Sequence, residues 1–294
     1  MNSGLVIATH GRHCVVETSD GERRICHPRG KKSQVVVGDR VQWLPSEDEG
    51  TIEKVEARRN LFYRQDEMRT KSFAANLDQV LILLAAEPEF SEMQLARALI
   101  AAEAEHINPV IALNKRDLKD LFAHALMRLA PYAAMGYTVL TVALKHGDLG
   151  DLPERLDGKT TLVLGPSGTG KSTLVNALIP KANVATGEIS HALNSGKHTT
   201  TATTWHWVDA ARLTGLIDSP GFQEFGLHHI NAMQLAAYMP DFKSHIAHCK
   251  FYNCTHLHEP SCGVRDAVAR GAIHASRYRL YGLLFAELSQ PAHY

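Results

Sequence analysis

The chain has no net charge: 31 basic side chains face 31 acidic ones over 294 residues. Without a global basic field it cannot draw in a polyanion from a distance, so any contact with nucleic acid must rest on local patches. Long apolar runs are also missing. None approaches the roughly 20 residues that cross a bilayer, so no membrane contact is expected. The start, Met1-Asn2-Ser3-Gly4, has neither the charged nor the apolar region of a secretion signal. Cysteine is scarce, and five is an odd number, which argues against a disulfide framework and for a reducing cytoplasm. Internal repeats and low-complexity tracts are absent. What remains, with 45% hydrophobic residues, is enough to bury a sizeable interior and to build several modules.

The most specific pattern present is Gly165-Pro166-Ser167-Gly168-Thr169-Gly170-Lys171-Ser172, with Thr173 next in line. It follows an apolar, β-branched run at 160–164 and precedes a helical composition at 172–179, the context a phosphate loop requires. Glycines let consecutive N–H groups turn toward phosphate oxygens, and the helix N-terminus adds positive potential there. Lys171 is expected at the β and γ phosphates and Ser172 on Mg²⁺.

Asn114-Lys115-Arg116-Asp117 ends a second apolar run, 109–113, at the carboxyl end of a strand, where open α/β sheets bind ligands. A carboxylate there accepts from both N1–H and the exocyclic amine of guanine, so Asp117 is expected to select GTP over ATP. The order is reversed. Ordinary GTPases carry the phosphate loop first, so the chain reads as a circularly permuted GTPase.

Asp218-Ser219-Pro220-Gly221 ends a third apolar run, 213–217. Asp218 is expected to hold Mg²⁺ through water and Gly221 to approach the γ-phosphate as the second switch. Between these elements, Gly196-Lys197-His198-Thr199-Thr200-Thr201 offers Thr199 or Thr200 as the Mg²⁺ ligand of the first switch. Phe222 follows Gly221 where Ras-type enzymes have the glutamine that orients water. Either Gln223 or His198 substitutes, or a partner completes the site, and slow intrinsic hydrolysis is expected in each case. Around these motifs, strands at 77–85 and 137–142 and helices at 91–104 and 118–132 complete an alternating pattern. The turn at 142–145 matches a base-contact turn poorly and receives no role.

Cys249, Cys254, His256 and Cys262 bring three thiols and an imidazole into one short segment. Tetrahedral Zn²⁺ prefers four such ligands, and a set with no position left for water is structural. His245, His248 and His258 stand nearby as substitutes for one ligand. Apolar packing in this segment reads as thin, so metal binding is expected to supply much of its folding free energy. Cys14 and Cys26 read as core residues.

Residues 3–58 read as short strands at 4–9, 13–18, 23–26, 35–37, 40–44 and 50–55, separated by turn chemistry. Strands of this number and length suggest a small closed barrel of the OB type. Arg23, Arg24, Arg29, Lys31 and Lys32 cluster at one loop as candidate RNA contacts, with Asp20 and Glu22 beside them. The resulting organisation is an OB-fold barrel at 1–60, a linker at 61–75, a permuted α/β GTPase at 76–227 and a zinc-binding helical module at 228–294. A helix expected at 267–287, with Arg265, Arg270, Arg277 and Arg279, either faces RNA or packs on the metal module.

The order of these modules resembles the RsgA family of circularly permuted GTPases. The likeness runs from Gly11-Arg12-His13 and Pro28-Arg29-Gly30-Lys31-Lys32 through Asn76-Leu77-Asp78-Gln79-Val80, the reversed nucleotide motifs and Asp218-Ser219-Pro220-Gly221-Phe222 to the Cys, Cys, His, Cys set. The resemblance implies a cytoplasmic, monomeric GTPase that binds GTP and GDP and docks on the small ribosomal subunit late in its maturation. It also implies contact with rRNA through the barrel and zinc module, and GTP hydrolysis when docked. A P-loop kinase would leave Asn114 and Asp117 idle. A large-subunit GTPase would not need the barrel and zinc ligands, and a non-catalytic nucleotide-holding RNA module would fit Phe222. Beyond the resemblance, the chain leaving Gly221 runs directly toward Cys249, so the second switch and the metal module are expected to bias each other.

Overall fold

In the computed structural model, residues 1–11, 13–30, 34–46, 49–65, 70–179, 203–220 and 225–290 are described. Strands β1 (Asn2–His10), β2 (His13–Glu17), β3 (Arg23–Pro28), β4 (Arg40–Pro45) and β5 (Gly50–Val55) close a five-stranded barrel. The circuit runs β1 to β2 to β3, then parallel to β5, antiparallel to β4, and back to β1. Alternation of apolar and polar residues fills its interior with Val6, Val16, Val41, Trp43 and Ile52. Cys14 and Cys26 lie opposite each other in this core, and burial pushes both thiols up to about 11, the state of inert packing residues. The strand expected at 35–37 does not form; Val37 makes only an isolated bridge to Ala74.

Parallel strands β8 (Gln79–Ala85), β9 (Asn108–Asn114), β10 (Thr138–Thr141), β11 (Thr160–Leu164) and β13 (Gly215–Asp218) lie in the order β10-β9-β8-β11-β13. Helices α1 (Glu92–Ala104), α2 (Lys119–Ala134), α3 (Leu152–Leu156) and α4 (Lys171–Leu178) alternate with them. Ser91 caps α1 by accepting from the Gln94 N–H. At the edge, β12 (Thr204–Trp207) runs antiparallel to β13, and its Thr204 pairs with Ala8 of β1. The barrel thus extends the central sheet. Glu17, 4% exposed, fixes this junction by accepting from Trp207 Nε1 at 2.6 Å and Arg23 Nε at 2.9 Å.

Where composition reads as a linker, strands β6 (Leu61–Gln65) and β7 (Thr70–Ala75) form a hairpin instead. Its charged residues mask two buried aromatics, Phe62 and Phe73, whose rings meet Phe225 at 5.6 and 6.1 Å. The chain after β13 lies against this hairpin. The Gln65 N–H donates to the Gly226 carbonyl at 3.1 Å, and the His228 N–H donates to the Gln65 carbonyl at 3.0 Å. Arg97 of α1 reaches the Phe225 carbonyl and pairs with Glu287.

A 3-10 segment (Ala232–Tyr238) and helices α5 (Pro240–Ile246), α6 (Gly263–Ala269) and α7 (Ala275–Leu288) complete the fold. The single helix expected at 267–287 is broken, because Gly271 adopts a left-handed conformation (φ +74°) and His274 caps a new helix by accepting from the Ser276 N–H. The helices flanking the 249–262 segment are well packed: Phe242, Val264, Ala267, Ile273, Tyr281 and Leu284 join the same core as the central sheet. Arg277 belongs to that packing. It is 1% exposed, donates to both Asp241 oxygens at 3.0 and 3.2 Å, and lies 5.2 Å from the Tyr132 ring centroid. Asp241→Ala strands this charge and is expected to cost about 3–5 kcal/mol. Asp241→Leu combined with Arg277→Met is expected to recover most of the loss, read as denaturation midpoints.

Candidate nucleotide site and metal cluster

Three of the sequence motifs converge at one edge of the central sheet. Asn114 ends β9, Gly165 follows β11 directly and Asp218 ends β13, so all three lie at the carboxyl ends of parallel strands. Asn114 ties the edge together. Its Nδ2 donates to the Thr169 carbonyl at 2.9 Å, and its Oδ1 accepts from the N–H groups of Lys115 at 2.7 Å and Leu144 at 3.1 Å. The last contact gives the turn left unassigned in the sequence a structural place beside the Asn114 loop. The Arg116 N–H donating to the Val142 carbonyl at 3.2 Å strengthens it. Its signal was positional, at the end of the next parallel strand, rather than chemical.

The 165–172 loop needs its glycines for two separate reasons. A Cβ on Gly165 would stand 2.5 Å from the Leu83 carbonyl, and one on Gly170 would stand 2.5 Å from Asn114 Nδ2 at a backbone φ of +103°. Gly170→Ala is therefore expected to loosen the Asn114 to Thr169 tie and to weaken GTP binding by about fivefold or more. That is the equivalent of the roughly 1–2 kcal/mol that left-handed backbone costs a residue with a Cβ. Calorimetric titration measures it.

Lys171 opens α4, and its Nζ donates to the carbonyls of Gly165 at 2.6 Å and Pro166 at 3.0 Å. Burial lowers its pKa from the ordinary lysine value, while the Asp218 carboxylate acts the other way. Thr169 Oγ1 donates to the Pro166 carbonyl at 2.9 Å, and the buried Ser219 hydroxyl donates to the Val163 carbonyl at 2.7 Å, fixing the start of the segment after Asp218. Asp117 lies further along the same edge with Oδ2 3.6 Å from His146 Nε2, and Arg116 pairs with Asp148. These contacts gather 114–117, 165–173 and 218–219 around one surface. Thr199, Thr200, His198, Gly221 and Gln223 lie outside the described residues.

In the C-terminal segment, the donor atoms of Cys249, Cys254, His256 and Cys262 all lie within 4.8 Å of one another. His245, His248 and His258 are not part of this group. Burial pushes the Cys254 thiol up to about 12 and lowers the His256 imidazole. Burial alone therefore disfavours the thiolate that a metal needs, and a dication held by the four donors would supply the missing compensation. The residues fit a metal ion. Glu259, unremarked in the sequence, braces the loop by accepting from the Thr255 N–H at 2.8 Å and the Thr255 hydroxyl at 2.7 Å.

The described arginines of the barrel's basic cluster each pair with a glutamate. Arg23 pairs with Glu17, Arg24 with Glu22 and Arg29 with Glu53, while Lys31 and Lys32 lie outside the described residues. Among the described residues no helix is long and apolar enough to cross a membrane.

A family model described as RsgA GTPase matches residues 55–228. The chain is similar to the small ribosomal subunit biogenesis GTPase RsgA of Variovorax paradoxus (strain S110). The two are 69% identical over 297 residues, covering 99% of this chain and 93% of that protein. Its counterpart in Paraburkholderia xenovorans (strain LB400) is 54% identical over 295 residues, covering 98% and 93%. Among solved structures, it is similar to YjeQ from Thermotoga maritima, with a TM-score of 0.77 and 31% identity over 99% of both chains. It is also similar to YloQ, described as a circularly permuted GTPase, with a TM-score of 0.73 and 27% identity over 100% of this chain and 97% of that one. With the reversed motifs on one sheet edge and likeness across nearly its whole length, the chain belongs to the RsgA GTPase family.

Proposed function

We propose that this GTPase binds the small ribosomal subunit late in its assembly and hydrolyses GTP to GDP and phosphate faster when docked than when free. The observation that carries the reading is Asn114, which locks the 114–117 loop to the phosphate loop and so builds one guanine nucleotide site from permuted segments. In this site Asp117 accepts from guanine, and the N–H groups of 165–173 and the Lys171 ammonium hold the phosphates. A bound triphosphate competes with the Gly165 and Pro166 carbonyls for that ammonium. Ser172, Asp218 and one of Thr199 or Thr200 are the candidate Mg²⁺ ligands, and the ion neutralises charge developing on the phosphates when bound. Water is oriented by His198, by Gln223 or by a group from the subunit, since Phe222 offers no hydrogen bond.

The cysteine and histidine cluster takes one structural Zn²⁺. Barrel, GTPase core and metal module act as the working units, with the 61–75 hairpin counted in the core, and the protein works as a cytoplasmic monomer. Coupling between the second switch and the metal module runs through Arg97 of α1, beside the hairpin that packs on the same segment. Phe225 and Gly226, just beyond Gly221, are held by Phe62, Phe73, Gln65 and Arg97, and Arg97 pairs with Glu287 of α7. Movement of the switch is therefore felt at α7, and binding of the subunit is felt at the switch. Equilibrium binding of small subunits to protein loaded with a non-hydrolysable GTP analogue or with GDP tests this. The coupling predicts a difference of about fivefold or more, the lower range of allosteric coupling. Equal affinities would remove it.

A further inference from the structure

Between the first two cluster residues the chain runs Lys250-Phe251-Tyr252-Asn253. The Cys254 N–H donates to the Phe251 carbonyl at 3.3 Å and the Lys250 N–H donates to the Ser261 carbonyl at 3.1 Å, so these four residues form a tight turn pinned at both ends. Tyr252, at the apex, is fully exposed (103%), and Phe251 is 40% exposed. Lys250 Nζ lies 5.7 Å from the Phe251 ring centroid. A single exposed apolar side chain needs no explanation. Two adjacent rings and a cation, carried on a backbone turn between Cys249 and Cys254, are different: they add little to the packing of this chain, and the turn that presents them is pinned at both ends.

We infer that this turn is a nucleobase-stacking tip, with Tyr252 and Phe251 as platforms for unpaired nucleotides of RNA and Lys250 set against the phosphate backbone. The inference rests on the proposed small-subunit partner. Base faces are presented by single-stranded loops, bulges and ends, whereas a duplex hides them, so the occupant is unpaired RNA. Charge agrees with this. The turn contains one cation and no carboxylate. Glu259, the carboxylate nearby in sequence, is taken up by the Thr255 N–H and hydroxyl and the His258 N–H. The surface also differs from the barrel cluster, whose described arginines are already matched by glutamates. Stacking is tolerant of sequence because every base has a π-face, so the tip adds affinity rather than base specificity.

The test uses the full, zinc-loaded chain and two probes: purified small ribosomal subunits and a single-stranded RNA oligonucleotide, with the same oligonucleotide in a duplex as control. Tyr252→Ala is expected to weaken binding to the subunit and to the single strand by at least about fivefold, the lower end of what removing a base-stacking ring costs. Tyr252→Phe keeps the ring and is expected to stay within about twofold of the unaltered chain, because stacking does not use the hydroxyl. Zinc content and GTP hydrolysis without RNA stay unchanged in both variants. Ultraviolet cross-linking is expected to join Phe251 or Tyr252 to a nucleobase. Unaltered affinity in Tyr252→Ala, equal losses in the Ala and Phe variants, or cross-links to ribosomal protein alone overturn the inference. If the unaltered chain fails to bind small subunits, the functional reading falls, and the oligonucleotide arm still decides the tip by whether Tyr252→Ala loses the single strand.

Discussion

Asp117→Asn is expected to weaken GTP binding by about two orders of magnitude or more and to transfer affinity to xanthosine triphosphate. Two hydrogen bonds to a charged acceptor are each worth about 1.5–3 kcal/mol, and an amide in place of the carboxylate loses one acceptor and opposes the guanine amine with its own N–H₂. Xanthine carries a carbonyl where guanine carries that amine. The amide then donates to the carbonyl and still accepts from N1–H, so the pairing is restored with a different base. The substitution spares the phosphate loop, since Asn114 rather than Asp117 makes the tie to Thr169. Titration with GTP, xanthosine triphosphate and ATP reads the result directly. Unchanged GTP affinity would mean that the base is recognised elsewhere and that the 114–117 loop serves only to brace its neighbour.

The second large effect is expected on removing the metal. Structural zinc contributes about 10 kcal/mol or more in small modules, and Cys254→Ala or chelation withdraws that contribution from residues 249–262. The consequence is local. Phe242, Val264, Ala267, Tyr281 and Leu284 belong to the same core as the central sheet, and Arg277 ties α7 to Asp241 of α5 without any metal ligand. Amide exchange is expected to rise steeply across 249–262, modestly in α6, whose N-cap is Cys262, and little in α7. GTP affinity is expected to change by less than about threefold, since the path from the second switch through Arg97 ends on Glu287 of α7, which keeps its order without the metal. Zinc retention in Cys254→Ala would contradict the ligand set. Loss of protection throughout α7 would mean that the metal, rather than the apolar core, holds the C-terminal module.

The parts of this fold that were legible in the sequence are those whose chemistry is local. The phosphate loop, the 114–117 and 218–221 segments and the four cluster residues are recognised by spacing, and the structure gathers their described parts as expected. The barrel strands were legible from alternation. What stayed hidden depends on distant partners. Phe62 and Phe73 sit among charged neighbours, so the hairpin read as a linker until Phe225 supplied the third ring. Arg277 is one of four arginines that the sequence leaves open between facing RNA and packing inward, and only the approach of Asp241 and Tyr132 makes it a core residue. The junction of β1 with β12 joins Ala8 to Thr204, and Glu17 to Trp207, across nearly two hundred residues. No short window contains such pairs.

GTP hydrolysis by the zinc-loaded protein, alone and with purified small or large ribosomal subunits, with ATP as the control nucleotide, decides whether the small subunit is the activating partner. Slow turnover of the free protein, strong stimulation by the small subunit only, and no turnover of ATP are expected. Fast hydrolysis by the free protein, no stimulation, or stimulation by the large subunit would contradict that role.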